Sequence, residues 1–198
     1  GFSSDSILAT VAAASKLNRD WTLLGRNTYS VIKNKGQSTG EIEQDRLQAG
    51  LAYRDTETER LNALGRVEHR GESDSTQQGI TLKRTVDLIS IHASWQPRRP
   101  FTFGGRFAAK WTDEKSNGLA SRSNAQLISG RATWDVTPRW DVSLVASGLL
   151  SRGTKSRQYG LGLEVGYMLI ENLWVSAGYN IFGYREEDLA SGEYTNKG

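Results

Sequence analysis

The chain lacks cysteine, has only three prolines, and contains no long apolar run. The absence of cysteine leaves no disulfide and no thiolate ligand, which suits an oxidising compartment without requiring one. Pro97, Pro100 and Pro138 fall at expected turns or strand starts, where a missing N–H costs little. No segment approaches the roughly 20 apolar residues of a membrane helix, and the mean hydropathy is −0.53. These features exclude a helical membrane protein, but strands could still cross a bilayer, because only alternate strand residues face lipid.

What the chain does contain is a two-residue alternation of side-chain character. Between positions 101 and 112, the residues Phe101, Phe103, Gly105, Phe107, Ala109 and Trp111 alternate with Thr102, Gly104, Arg106, Ala108, Lys110 and Thr112. An extended strand sends neighbouring side chains to opposite faces, so one face here meets an apolar environment and the other an aqueous one. Repeated along the chain, the pattern predicts an all-β, antiparallel, up-and-down transmembrane β-barrel with its polar face inward.

Ten strands are predicted, at 6–17, 20–33, 43–55, 60–70, 84–96, 100–112, 123–135, 139–151, 157–169 and 172–184. Each reaches or exceeds the roughly 9–11 residues that a tilted strand needs to cross a bilayer. Short connections at 18–19, 56–59, 97–99, 136–138 and 170–171 alternate with longer polar ones at 34–42, 71–83, 113–122 and 152–156 and after Tyr184. Outer-membrane barrels have short periplasmic turns and long external loops, so the first strand is expected to descend from outside.

This orientation places both chain ends on the long-loop side. Residues 1–198 are therefore predicted to form a single barrel domain that lacks one strand at each end, with about twelve strands in the intact protein. The tail at 188–198 is interpreted as an external loop about to re-enter the sheet. A ten-stranded barrel with external ends is the alternative.

The predicted lipid-facing set contains no charged residue, as expected where a midplane Arg or Lys costs about 2–4 kcal/mol. It comprises Ile7, Val11, Trp21, Leu23, Val31, Leu47, Leu51, Leu61, Val67, Ile89, Ile91, Phe103, Phe107, Ile128, Val142, Leu144, Leu161, Leu163, Val165, Val175 and Ile181. His69 falls in the same register, near a loop.

The predicted inward face carries a charge network of Arg26, Arg46, Arg54, Arg66, Glu68, Arg106, Lys110, Arg131, Asp135, Asp141 and Glu164, with Arg70 and Asp87 assigned to the same face. The first interpretation is a salt-bridged interior with little or no open pore, because small barrels are often filled by side chains. A water-filled, mildly cation-lined channel is the second. A socket for a plug or linker segment is the third.

Aromatic residues cluster beside the short turns. Amphipathic rings favour the headgroup level of a bilayer, so an inner-interface girdle is predicted at Trp21, Tyr53, Trp95, Phe101, Trp134, Trp140, Tyr167 and Trp174.

Catalytic and cofactor motifs are not recognised. His92 and Ser94 share one face of a predicted strand, but no acid or oxyanion hole accompanies them in the sequence. The two histidines lie on different predicted strands, without metal-ligand spacing. The glycines of the 160–166 run fall within a strand and are expected to leave room for bulky Arg neighbours. The modest excess of basic residues is dispersed along the chain, so no nucleic-acid partner is predicted. Because the motifs above are missing, no cofactor or metal is predicted either.

The run YGLGLEVGYMLIENLWVSAGYNIFGY, residues 159–184, resembles the C-terminal barrels of Gram-negative outer-membrane proteins, above all those that end long, multidomain surface proteins. Residues 48–55 and 139–143 are similar in style. The resemblance implies a bacterial outer-membrane location, contact with lipid and lipopolysaccharide, insertion by the barrel-assembly machinery, and linked or associated surface or periplasmic domains. It implies a membrane anchor or translocation pore rather than an enzyme. A small-solute channel is the second hypothesis, and a lipase- or protease-like barrel enzyme is the third.

Overall fold

The computed structural model describes residues 3–35, 40–77, 80–153 and 156–183, which form ten β-strands and no helix. Within those residues, no helix has the length and hydropathy needed to cross a membrane. The strands are β1 (Ser3–Lys16), β2 (Trp21–Lys35), β3 (Gly40–Arg54), β4 (Leu61–Gln77), β5 (Ile80–Arg98), β6 (Phe101–Ser116), β7 (Leu119–Asp135), β8 (Trp140–Ser151), β9 (Ser156–Ile170) and β10 (Leu173–Phe182).

All ten strands belong to one sheet whose spatial order follows the chain from β1 to β10. The β1–β2, β7–β8, β8–β9 and β9–β10 pairs are antiparallel, and the up-and-down order predicted from the alternation is confirmed. Barrel closure is not observed. Among the described strands, β1 and β10 are the two ends of the sheet and are not paired with each other.

The strands extend further toward the long connections than predicted. Most of segments 71–83 and 113–122, expected as loops, belongs to β4, β5, β6 and β7. Polar residues can continue a ladder when their side chains pair across it: Arg84 Nε lies 3.1 Å from Glu114 Oε1, and Arg122 Nε lies 2.8 Å from Asp113 Oδ1. Parts of the predicted connections 34–42 and 152–156, and the whole tail from 188 to 198, lie outside the described residues.

The short turns occur within two residues of their predicted positions, and small polar side chains close those at Asn18 and Thr137. The Asn18 carboxamide oxygen accepts hydrogen bonds from the N–H groups of Asp20 and Trp21, at 2.9 and 2.8 Å. The Thr137 hydroxyl accepts from the N–H of Trp140, at 3.1 Å. Such local bonds satisfy backbone donors that the ladder leaves open at a strand end.

Tertiary contacts divide the chain into two units that cut across several strands. Unit 1 comprises Gly1–Ala52, Gly65–Ile89 and Lys110–Asn124, and unit 2 comprises Tyr53–Leu64, Ser90–Ala109 and Ala125–Gly198. Unit 1 buries Val86 and Leu88, and unit 2 buries Leu127 and Leu149. The two units are described separately below.

Candidate functional site

The apolar face of the sheet is exposed rather than packed against protein. Phe103, Leu144 and Leu163 are 41%, 46% and 48% exposed. Of the residues predicted to face lipid, all are exposed except Val31, which is buried, and Val142, Leu161 and Ile181, which are half-buried. The register of β8 and β9 places residues of this face opposite one another, such as Leu144 and Leu163. The face is therefore free to meet an apolar environment.

Aromatic rings pair across neighbouring strands on this face of unit 2, close to the short turns. The ring centroids of Trp140 and Tyr167 lie 4.5 Å apart, and the two residues are opposite each other in the β8–β9 register. Phe101 and Trp134 stack at 6.4 Å. Trp95 pairs at 6.0 Å with Phe103, which the predicted girdle did not include. Cross-strand aromatic pairs of this kind stabilise a sheet.

Trp174 departs from the predicted girdle. Its register partner is Met168, and its indole Nε1 donates a 2.9 Å hydrogen bond to Asp141 Oδ2. Trp174 therefore lies on the polar face, opposite to the face of Trp140. The ring occupies space that only a glycine at 166 leaves open, because a Cβ there would overlap it. The glycine at 166 makes room for this indole rather than for an arginine.

In unit 1 the polar face holds a buried carboxylate between two arginines. Glu68 is only 5% exposed. Its Oε1 lies 2.7 Å from Arg46 Nε and 2.9 Å from Arg70 Nη2, and its Oε2 accepts a 2.7 Å hydrogen bond from Gln48 Nε2. A buried carboxylate needs such partners to offset its lost hydration. This cluster brings together Arg46 and Glu68 of the predicted charge network, with Arg70 on the same face.

In unit 2 the polar face holds a second, separate cluster. Arg131 on β7 pairs with Glu164 on β9. Between them, Thr133 Oγ1 and the buried Ser143 Oγ lie 2.8 Å apart. Asp135 and Asp141 are opposite each other across β7 and β8, a like-charge pairing that disfavours the sheet and that the Trp174 N–H partly offsets.

The remaining residues of the predicted network occupy several strands of both units. Arg54 pairs at 3.4 Å with Glu59 of the adjoining turn, and both side chains are well exposed. Arg26 lies opposite Ala12 in the β1–β2 register, and Arg66 is half-buried on β4. Arg106 and Lys110 alternate with the exposed Phe107 and Trp111 along β6. The described contacts of the predicted network thus include the Arg46–Glu68–Arg70 cluster, the Arg131–Glu164 pair and the Arg54–Glu59 pair.

Polar pairs lie on the apolar-face register of unit 1, and the sequence analysis did not identify them. The pairs, with their separations, are Lys33–Glu41 (3.4 Å), Tyr29–Glu43 (2.7 Å), Asn27–Asp45 (3.1 Å) and His69–Asp87 (2.6 Å). Assigning Asp87 to the inward face was wrong, because its carboxylate contacts the His69 ring. The sequence contained a signal for these pairs. Along β3, the alternation that places Leu51 and Leu47 on the apolar face also places Asp45 there.

Catalytic geometry is not assembled around the histidines of the described residues. His92 is exposed on β5, and within the described part of the chain it forms no hydrogen bond with an acid. His69 pairs with Asp87, 2.6 Å away, with both side chains more than half exposed. Over the described ranges, no group of three or more His, Cys, Asp or Glu side chains is arranged to hold a metal ion.

No family model matches the sequence, and a search of curated proteins found no match.

Proposed function

We propose that this chain is an outer-membrane β-barrel domain that anchors, or helps to translocate, a larger surface-associated protein or assembly. The observation that carries the proposal is the exposed apolar face of the sheet, represented by Phe103, Leu144 and Leu163. Soluble proteins rarely leave a contiguous apolar surface of this kind uncovered. A bilayer would cover it with hydrocarbon.

The dimensions of the apolar face support the same proposal. On β4 the apolar register runs from Leu61 through Val67 to the polar pair at His69. At about 3.3 Å per residue this stretch is about 26 Å long, and at the strand tilt of about 40° typical of a barrel it would span about 20 Å of an apolar band that is about 25 Å tall. The described strands are 10–19 residues long, against about 9–11 needed to cross the membrane.

The polar face supports a filled interior and hence an anchor. Glu68 is enclosed by Arg46, Arg70 and Gln48, and Trp174 covers Gly166 and Asp141. Small barrels commonly fill their interiors with side chains in this way. The anchor hypothesis is therefore preferred over the small-solute channel, and a channel would be recognised by conductance of the purified protein in planar bilayers.

Closure of the barrel is part of the proposal. An open sheet edge is not tolerated in hydrocarbon, because its N–H and C=O groups have no partner there. We expect about twelve strands, with β1 and β10 each continuing to a further strand, and direct β1–β10 pairing is the alternative. The proposed partners are outer-membrane lipid and lipopolysaccharide, the barrel-assembly machinery, and linked or associated surface or periplasmic domains.

Insertion into vesicles tests the proposal. Leu144→Arg places a charge on the apolar face, which costs about 2–4 kcal/mol near the midplane and should reduce the inserted fraction at least tenfold. Ser147→Arg is the matched control, because Ser147 faces the other side and lies between Ser129 and Gly160, which leave space. Protease protection and quenching of tryptophan by brominated lipids measure insertion. Equal insertion of both variants, or a wild-type chain that stays monodisperse without detergent, would contradict the proposal.

A further inference from the structure

A cavity of about 470 Å³ opens at the long-connection end of β8 and β9, within unit 2. It is lined by Gln126, Leu150, Ser151, Arg152, Ser156 and Arg157. The lining carries two positive charges and no acidic residue, and its remaining polar groups are hydroxyls and an amide. Within the described residues, neither Arg152 nor Arg157 forms an ion pair. The chemistry of this lining favours an anion.

The sheet register shows which face this cavity adjoins. Gln126 lies opposite Leu150, and Leu150 lies opposite Arg157. The next row on the same face is Ile128, Gly148 and Tyr159. Cross-strand partners and residues two apart along a strand share a face, so both rows belong to the apolar face that includes Leu144.

The second row forms an apolar platform beside the basic cavity. Ile128 is 64% exposed and Tyr159 is 65% exposed. Gly148 lies between them, and a Cβ built on it would be 3.8 Å from atoms of both side chains. The guanidinium and hydroxyl groups of the cavity therefore lie directly beside the exposed Ile128–Gly148–Tyr159 row. This arrangement suits a ligand that has an anionic head group and an apolar tail.

We propose that this cavity and the adjoining Ile128–Gly148–Tyr159 row bind a phosphorylated lipid of the outer leaflet. The phosphoryl group is held by the guanidinium groups of Arg152 and Arg157, which match phosphate oxygens in charge and geometry. The acyl chain lies along Ile128 and Tyr159. This inference rests on the proposed membrane location, which puts the long connections, and hence the cavity, at the outer surface.

The test uses the full chain refolded into detergent micelles, with native mass spectrometry or tryptophan fluorescence to follow binding. The probes are bisphosphorylated lipid A, the same lipid with its phosphates removed, and inorganic phosphate. Wild type should bind the phosphorylated lipid at least tenfold more tightly than the dephosphorylated one. Arg152→Gln/Arg157→Gln should remove that preference. The control variant Arg98→Gln/Arg99→Gln also removes two positive charges, but at exposed positions near the short-turn end of the strands. It should leave the preference for the phosphorylated lipid within twofold of the wild-type value.

Three results would overturn the inference. Equal binding of the two lipids would show that the phosphoryl group is not recognised. Equal effects of the two double variants would show that only net charge matters, and binding of inorganic phosphate without the lipid would indicate a free-anion site. Vesicle insertion of wild type, measured in parallel, separates the two proposals. Insertion without phosphoryl preference overturns this inference alone, whereas failure to insert overturns both.

Discussion

The indole N–H of Trp174 on β10 donates a 2.9 Å hydrogen bond to Asp141 Oδ2 on β8, across the intervening strand β9. The bond is possible because β9 carries glycine at position 166, where a Cβ would overlap the ring. It ties the end strand of the sheet to a strand two positions away. The side chain thus holds β10 more firmly than its ladder with β9 alone would.

The first prediction concerns this Trp174–Gly166 fit. Gly166→Ala should destabilise the protein by about 1–3 kcal/mol, the usual cost of overpacking, and Trp174→Phe by about 0.5–1.5 kcal/mol through the lost hydrogen bond. Urea unfolding in micelles measures both. In the Gly166→Ala/Trp174→Ala double variant the alanine at 166 should cost less, because the ring is gone and only the flexible Asp141 carboxylate still overlaps the added Cβ. Strict additivity would show that the ring does not fill this space.

The second prediction concerns the buried carboxylate Glu68. Glu68→Gln removes the counter-charge of Arg46 and Arg70, whose side chains are partly exposed and can be hydrated, so it should cost about 1.5–3 kcal/mol, as for lost hydrogen bonds to a charged group. Glu59→Gln, which breaks the exposed pair with Arg54, should cost at most about 1 kcal/mol. Unfolding free energies of the two variants provide the comparison. A Glu68→Gln effect as small as that of Glu59→Gln would rule out a buried cluster.

The third prediction concerns acid stability at the short turn after β3. The hydroxyl of Thr58 donates to Asp55, its N–H adds a 3.0 Å bond, and together they lower the pKa of Asp55 from its ordinary value of 3.8. The stabilisation is complete above pH 3.8 and is lost as the pH falls through the lower folded-state pKa.

Between pH 6 and about pH 3, the wild type should therefore lose more stability than Asp55→Asn, because only the wild type has a carboxylate at position 55 that becomes protonated. The urea midpoint at each pH is the measurement. Glu57→Gln removes a neighbouring carboxylate of the same turn and should follow the wild-type curve. An Asp55→Asn curve parallel to that of wild type would refute the assigned cause.

The fourth prediction concerns the ends of the sheet. The chain has no native cysteine, so any disulfide that forms must join the two introduced cysteines. If about twelve strands close the barrel, Ala9→Cys on β1 should form no disulfide with cysteine placed at Val175, Ala177 or Tyr179 on β10. Ala9→Cys/Tyr29→Cys, opposite each other across β1 and β2, should cross-link and serves as the positive control. A β1–β10 disulfide in comparable yield would instead establish direct ten-strand closure.

The alternation in the sequence was sufficient to predict the order of the strands and their apolar face. Phe103, Leu144 and Leu163 were assigned to that face from periodicity alone and are exposed on it. This succeeds because side-chain direction in a strand is a local property with a period of two. The short turns at Asn18 and Thr137 were predictable for the same reason, since their hydrogen bonds are local.

What the tertiary structure alone decided were the choices that depend on neighbouring strands. Trp174 alternates with Val175 along β10 and so falls on the polar face, but only the pairing of β10 with β9 placed its ring over Gly166 and its N–H on Asp141. Asp87 shares a face with Ile89 and Ile91 by alternation along β5, but only the pairing of β4 with β5 brought its carboxylate to the His69 ring. A single strand's pattern fixes which residues share a face, whereas cross-strand register fixes which of them meet, and register arises only when the strands pair.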